Sequence, residues 1–216
     1  MLTPDLKNFR DLGGLPTTDG RKVRSRVIYR SRQLLDIKGE TVQDLLGRLG
    51  MRTLIDLRTE SEMDKWGKYE DRHLNGINYI NIQVMASGIP VDEALKESQG
   101  YDGIRYLYYH ILKNEGGLFK EWFKVLSEEE NLPVLIHCIA GKDRTGLFVA
   151  LLLLSLAVHE SDVKREYLLS APGQELCFET MTRLIEEWGG IENTLFGMGI
   201  DNDLVSKVRE NLLEGR

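Results

Sequence analysis

Four short apolar runs rich in β-branched residues stand out along the first two-thirds of the chain: Val27-Ile28-Tyr29, Thr53-Leu54-Ile55-Asp56-Leu57, Tyr79-Ile80-Asn81-Ile82 and Val134-Leu135-Ile136-His137. Each has strand length and is mostly apolar on both alternating sets of positions, as expected of strands covered on both faces. Helical spacing fills the intervals. Thr41 to Leu49 places Val42, Leu45, Leu46 and Leu49 on one face, and Leu118 to Leu126 repeats the pattern. Beyond the fourth run the pattern is helical throughout: Thr145–Ala157, Asp162–Ser170, Glu175–Trp188 and Leu204–Leu213, with Ser161 and Asp201 as N-caps of two of them. Strands alternating with helices, followed by a helical tail, predict an α/β fold. Its core is a largely parallel sheet of four to five strands flanked by helices. No repeat or Pro/Ser-rich linker divides residues 1–216, which read as one domain. Gln83 to Gly103 fits least well, with isolated glycines, one proline and little periodicity, and is expected to be a mobile excursion.

Composition narrows the classes. Hydrophobic residues make up 42% and charged residues 29% of 216, proportions that exclude a disordered chain, a collagen-like fibre or a coiled-coil rod. The net charge of −6 comes without a basic stripe, which argues against nucleic acid as a partner but permits a locally positive site. The longest apolar run, Leu147 to Val158, is twelve residues broken by Ser155, so it predicts a buried core helix and no integral membrane segment. The start, Met1-Leu2-Thr3-Pro4-Asp5, has no basic-then-apolar leader pattern. Two cysteines make no disulfide framework. A cytoplasmic location is expected, with signal-independent export left open.

The chemistry concentrates in His137-Cys138-Ile139-Ala140-Gly141-Lys142-Asp143-Arg144-Thr145-Gly146, which follows the fourth strand and opens the most hydrophobic helix. In such a strand–loop–helix, successive N–H groups can form a nest and the helix N-terminus adds its positive dipole end. Gly141 permits the tight bend, and Arg144 supplies a planar fork suited to two phosphate oxygens. A Cys138 thiolate at the base would be stabilised by the same donors, so anion cradle and nucleophile are one structure. Attack of Cys138 on phosphorus would give a phosphocysteine, with the loop and Arg144 stabilising the transferring oxygens. An acid would protonate the leaving oxygen, and water would then cleave the thiophosphate. Thr145 is placed to bond the sulfur, His137 to fix loop shape, and neither metal nor cofactor is required. A lone cysteine or arginine would be ordinary, but their conjunction here is not. Cys177, between Leu176 and Phe178 on a helix, is expected to be packing, and His73, His110 and His159 lack ligand spacing.

The segment resembles the signature loop of the cysteine-dependent protein-tyrosine phosphatases. Its Gly-Lys-Asp-Arg-Thr-Gly form is similar to a bacterial and fungal branch active on phosphotyrosine and phosphoinositides. Asn8-Phe9-Arg10-Asp11-Leu12-Gly13-Gly14, Tyr29-Arg30-Ser31, Ile55-Asp56-Leu57-Arg58 and the tail from Ile185 to Leu213 also resemble that branch. The resemblance implies Cys138 as nucleophile, Arg144 as phosphate clamp, and Ile139, Ala140, Gly141, Lys142, Thr145 and Gly146 as substrate-binding positions. The chain contains no Trp-Pro-Asp, and family analogy puts the acid at Asp143. A carboxylate beside Lys142 and Arg144 should ionise easily. Asp143 as an orienting partner of Arg144, and Asp56 as a rival acid with Arg58 beside it or as a structural ion pair under the site, therefore stay open. Asp92 and Asp102 in the excursion are further candidates, and Met85, Ile89, Tyr101 and Tyr106 either line an aryl pocket or belong to the core.

The expected function is hydrolysis of phosphate monoesters, foremost protein phosphotyrosine with dual specificity open. One lysine, Lys142, with apolar Ile139 directly after the cysteine leaves a phosphoinositide as the alternative substrate. A sulfurtransferase or arsenate reductase would lack the Arg-Thr-Gly ending. A catalytically silent phosphate-binding module is the reading from another class.

Overall fold

Alternation along the strands decides the two faces of the sheet. The computed structural model describes residues 5–84 and 103–215. Five strands, β1 (Arg10–Asp11), β2 (Ile28–Ser31), β3 (Thr53–Asp56), β4 (Asn78–Asn81) and β5 (Val134–His137), lie in the order β1-β2-β5-β3-β4. β1 runs antiparallel to β2, and every other neighbouring pair is parallel. Ile28, Ile55, Val134 and Ile136 point to one face and enter the larger core, whereas Tyr29, Leu54 and Leu135 point to the other.

Helices cover both faces: α1 (Val42–Leu49), α2 (Glu60–Trp66), α3 (Asp71–Leu74), α4 (Gly103–Asn114), α5 (Gly116–Ser127), α6 (Asp143–Ser155), α7 (Glu160–Ser170), α8 (Glu175–Glu187), α9 (Ile191–Gly197) and α10 (Asn202–Leu212). On the smaller face, Val42, Leu45 and Leu46 of α1 pack with Leu34, Met51 and the strand residues. α1 opens on a capping box between Thr41 and Asp44 and ends at Gly50 in the left-handed region (φ 64). The larger core is built around α6, in which every residue from Leu147 to Leu153 is fully buried. Each such aliphatic or aromatic side chain contributes roughly 1.5–3 kcal/mol of burial. The buried core helix expected from the apolar run is therefore present. Among the described residues, no helix is long and apolar enough to cross a membrane.

Asp201 caps α10, its carboxylate accepting from Leu204 N at 2.9 Å. Ser161 is not an N-cap. α7 begins at Glu160 with His159 in the capping position, because the His159 carbonyl already accepts from Asp162 and Val163 N. The excursion expected over Gln83 to Gly103 lies outside the described residues except at its ends, so Met85, Ile89, Asp92, Tyr101 and Asp102 do too. Tyr106 is a core residue of α4, 6% exposed.

The register places the site. His137 at the end of β5 lies level with Ser31 of β2 on one side and Asp56 of β3 on the other. The loop from Cys138 thus leaves the sheet at the carboxyl ends of three parallel strands, where open α/β sheets hold their ligands.

Candidate active site

Each backbone carbonyl from His137 to Lys142 is occupied by a donor of the protein. His137 O accepts from Leu57 N (2.8 Å), Cys138 O from His137 Nδ1 (3.0 Å) and Ile139 O from Gln33 N (3.0 Å). Ala140 O accepts from Asn8 Nδ2 (2.9 Å), Gly141 O from Arg30 Nη2 (2.8 Å) and Lys142 O from Gly146 N (2.7 Å). With these carbonyls bound, the loop can present N–H groups to an anion, and the N-terminus of α6 adds its dipole. Gly141 makes the turn possible. Its φ is +65, and a Cβ there would lie 2.1 Å from Ser31 O.

Cys138 is buried, 3% exposed, at the exit of β5. Beside it, His137 is held by a directional chain: Leu34 N–H donates to Tyr69 Oη (2.9 Å), Tyr69 O–H to His137 Nε2 (3.0 Å), and His137 Nδ1–H to the Cys138 carbonyl. Burial pushes the His137 pKa down, which favours the neutral ring and that tautomer. Its place is in shaping the loop, as expected from the sequence.

Arg144 is held by α2 rather than by Asp143. Its Nη1 and Nη2 each lie 2.7 Å from an oxygen of Glu62, and Nη1 also donates to the carbonyls of Leu57 and Val84 at 3.1 Å. This end-on grip leaves the Nε–H and the second Nη2–H, the edge of the fork that matches two oxygens of a phosphoryl group. Burial pushes the guanidinium toward neutrality, but the bond to Glu62 and the nearby Cys138 outweigh it and raise its pKa. The salt bridge between Asp143 and Arg144 left open by the sequence does not form.

Asp143 begins α6, and its carboxyl is raised above the ordinary range because burial outweighs the pull of Lys142, of its own backbone N–H, and of Arg144 and Arg30. The sequence reading, which expected easy ionisation, missed that burial. Gln174 lies between the two side chains, its amide oxygen 3.0 Å from Lys142 Nζ and its nitrogen 3.0 Å from Asp143 Oδ1. An ammonium can only donate, which fixes that orientation of the amide. Below, Tyr108 Oη donates to the Asp143 carbonyl (3.3 Å) and shares a 2.6 Å hydrogen bond with Tyr167 Oη.

Asp56 is no candidate for proton transfer in this geometry. It is fully buried, and Arg58 grips both its oxygens through Nε and Nη2 at 2.7–3.0 Å while Tyr79 O–H donates to it at 3.0 Å. Burial works to raise this carboxyl, but the His137 ring and Arg58 together hold it below the ordinary range. Arg58 extends the brace to Gln33 Oε1 and Gly67 O, both at 3.0 Å, directly under the loop.

Of the remaining positions, Ile139 is half-buried and Ala140 exposed at the loop's rim. Gly146 lets Tyr167 approach, since a Cβ there would meet its ring at 3.0 Å. Thr145 is fully buried, and its hydroxyl has no hydrogen-bond partner among the described residues, so the bond to sulfur expected from the sequence is not made. Two cavities of about 620 and 610 Å³, one between α4, α5, α8 and α9 and one near Arg24 and Pro133, contain none of the loop.

A model of the tyrosine phosphatase family matches residues 2–185. The chain belongs to that family. It is 30% identical over 138 residues to a tyrosine-protein phosphatase of Nostoc commune, covering 60% of this chain and 43% of that protein. It is 28% identical over 193 residues to the triple specificity protein phosphatase PtpB of Mycobacterium tuberculosis, covering 77% and 67%. The chain therefore spans less than half the length of the first of these relatives. Among solved structures it resembles the core catalytic domain of the PP-IP phosphatase SIW14 from S. cerevisiae, with a TM-score of 0.51, 19% identity, and 87% and 95% of the two chains covered. That likeness concerns the fold.

The segments singled out in the sequence now have physical content. In Asn8–Gly14, Asn8 adopts φ 60 and reaches the loop carbonyl of Ala140, and Arg10 pairs with Glu166. Asp11 accepts from Gly13 N and Arg26 N, and Gly13 makes room for Ser25. In Tyr29-Arg30-Ser31, fully buried Arg30 bonds Glu166 and the Gly141 carbonyl. Glu62, Gln174, Tyr69 and Glu166 escaped the sequence reading. Only Glu62 left a local signal, the Thr59-x-x-Glu62 spacing of a capping box, which the structure contains.

Proposed function

We propose that this chain hydrolyses phosphate monoesters through a phosphocysteine on Cys138. The observation that carries the reading is the fully bound set of loop carbonyls, which leaves the loop able to offer N–H groups to an anion, together with a buried cysteine and a braced arginine in the same loop. Cys138 Sγ attacks phosphorus as the bond to the leaving oxygen breaks, and the phosphoryl oxygens take the loop N–H groups and the open edge of Arg144. Asp143, whose pKa burial raises, gives its proton to the leaving oxygen. Its carboxylate then takes a proton from water as that water attacks phosphorus and the thiolate departs.

Protein phosphotyrosine is the proposed substrate class. The names of the matched relatives support it, and so does Lys142, whose ammonium is engaged by Gln174 rather than left solely to read a second phosphate. The test is phosphate release from a phosphotyrosine peptide and from a phosphoinositide panel, with Cys138→Ser as blank. Dominance of the peptide supports the reading, and dominance of a lipid makes Lys142 a substrate reader. Binding of the peptide without release in the wild type contradicts catalysis.

A further inference from the structure

Lys142 and Asp143 are adjacent, oppositely charged and on the same rim, yet their side chains are joined through a third. Gln174 stands at the N-cap position of α8, at the end of a turn in which Gly173 takes φ 76 and Gln174 N bonds Ala171 O. Its amide spans the two groups at 3.0 Å each.

We propose that Gln174 is a positioning residue for the acid: its amide is a neutral spacer that keeps the Lys142 ammonium off the Asp143 carboxyl and fixes one oxygen of that carboxyl, leaving the other for proton transfer. This rests on reading Asp143 as the proton donor.

The effect is electrostatic. An ammonium in direct contact with a carboxylate favours the ionised form and removes the proton donor. Three cations already face Asp143: Lys142 and Arg144 from the loop and α6, and Arg30 from β2. The groups beneath it, Tyr108 of α4 and Tyr167 of α7, are phenols that burial keeps protonated, with Cys177 of α8 behind them. In this arrangement burial of Asp143 outweighs the three cations and its own backbone N–H, and an ammonium brought into contact would work against that burial. An amide N–H also favours the carboxylate, but a neutral dipole does so less than a full charge in contact.

The tests are Gln174→Ala, Gln174→Met and Gln174→Glu, read by the pH profile of kcat/KM and by a series of aryl phosphates of rising leaving-group pKa. In Gln174→Ala and Gln174→Met, Lys142 closes on Asp143. The basic limb moves to lower pH, and phenyl phosphate loses about tenfold or more in kcat while an activated aryl phosphate loses less than about twofold. In Gln174→Glu the new carboxylate takes the ammonium and repels ionised Asp143, so the basic limb moves to higher pH. In an Asp143→Asn background, Gln174→Ala adds no further steepening. Equal losses on all leaving groups, or shifts of the same sign for alanine and glutamate, overturn the proposal and leave Gln174 a structural residue. If Asp143→Asn itself leaves the leaving-group slope unchanged, the acid assignment fails. If that slope steepens but the Gln174 variants do not move it, the spacer alone fails. Gln174→Met, close in length and without the amide, keeps the test valid if Gln174→Ala does not fold.

Discussion

Glu62 grips Arg144 end-on, with each carboxylate oxygen 2.7 Å from a terminal nitrogen, and the same carboxylate closes the capping box of α2 by accepting from Thr59 N at 2.9 Å. One side chain thus fixes both the start of a helix and the orientation of the phosphate clamp. The two residues are 82 apart in sequence. α2 contributes no buried residue to either core, so its placement at the site rests on polar contacts.

Replacing Glu62 by Ala should loosen the clamp while leaving the cores intact. The expected loss is about 1.5–3 kcal/mol of transition-state stabilisation, the worth of a hydrogen bond to a charged group, or roughly 10- to 150-fold in kcat/KM. Steady-state kinetics with a phosphotyrosine peptide checks it, with a thermal melt to confirm folding. A loss under twofold would mean that the carbonyls of Leu57 and Val84 suffice to orient the guanidinium.

Gly141→Ala should disrupt the cradle. The substitution carries the left-handed strain of about 1–2 kcal/mol and also drives a Cβ into the Ser31 carbonyl, which cannot yield without moving β2. Inhibition by orthovanadate, an oxyanion that such a loop binds, should weaken by more than about tenfold, as expected when several backbone donors lose alignment. Gly14→Ala is the control. Its φ of +85 imposes similar strain in open space, so stability should fall by about 1 kcal/mol with no change in oxyanion affinity.

Asp143 and Asp56 should leave opposite signatures in stability against pH. Burial raises the Asp143 pKa, so its contribution is present below the ordinary carboxyl pKa and is lost as pH rises through the raised value. Asp143→Asn should therefore raise the melting temperature at neutral pH, with the gap closing in acid, while activity falls. The Asp56 pKa is lowered, so its contribution is present above the ordinary carboxyl pKa and is lost as pH falls through the depressed value. Asp56→Asn should be destabilising at neutral pH and lose that difference in acid. Denaturant titrations at several pH values check both signs.

Arg58→Ala should cost about 3–5 kcal/mol in folding free energy, because it strands a fully buried carboxylate. A loss below 1 kcal/mol by chemical denaturation would contradict the view that the pair is a brace under the loop.

The sequence made the loop and most elements readable because their information is local. Cys138 through Gly146 carry their chemistry in ten consecutive residues with His137, and the apolar periodicities placed β3, β5, α1, α6 and α8 to within a few residues. What stayed hidden is long-range and polar. β2 runs on through Arg30 and Ser31, beyond the expected Val27-Ile28-Tyr29, since a fully buried arginine does not register in a hydrophobic pattern. Glu62 and Gln174 approach the loop only through the fold, and nothing in their local spacing marks them as its neighbours. The burial that raises the Asp143 pKa is likewise a property of packing, so charge counting along the chain pointed the wrong way.

The central claim is that Cys138 carries the phosphoryl group. Rapid acid quench of the enzyme during turnover of a phosphotyrosine peptide, followed by peptide mapping in a mass spectrometer, reads it directly. The account predicts a phosphoryl group on Cys138 within the Val134–Arg144 region, absent in Cys138→Ser together with all turnover. Steady turnover by Cys138→Ser, or a phosphoryl group carried on another residue, would contradict it.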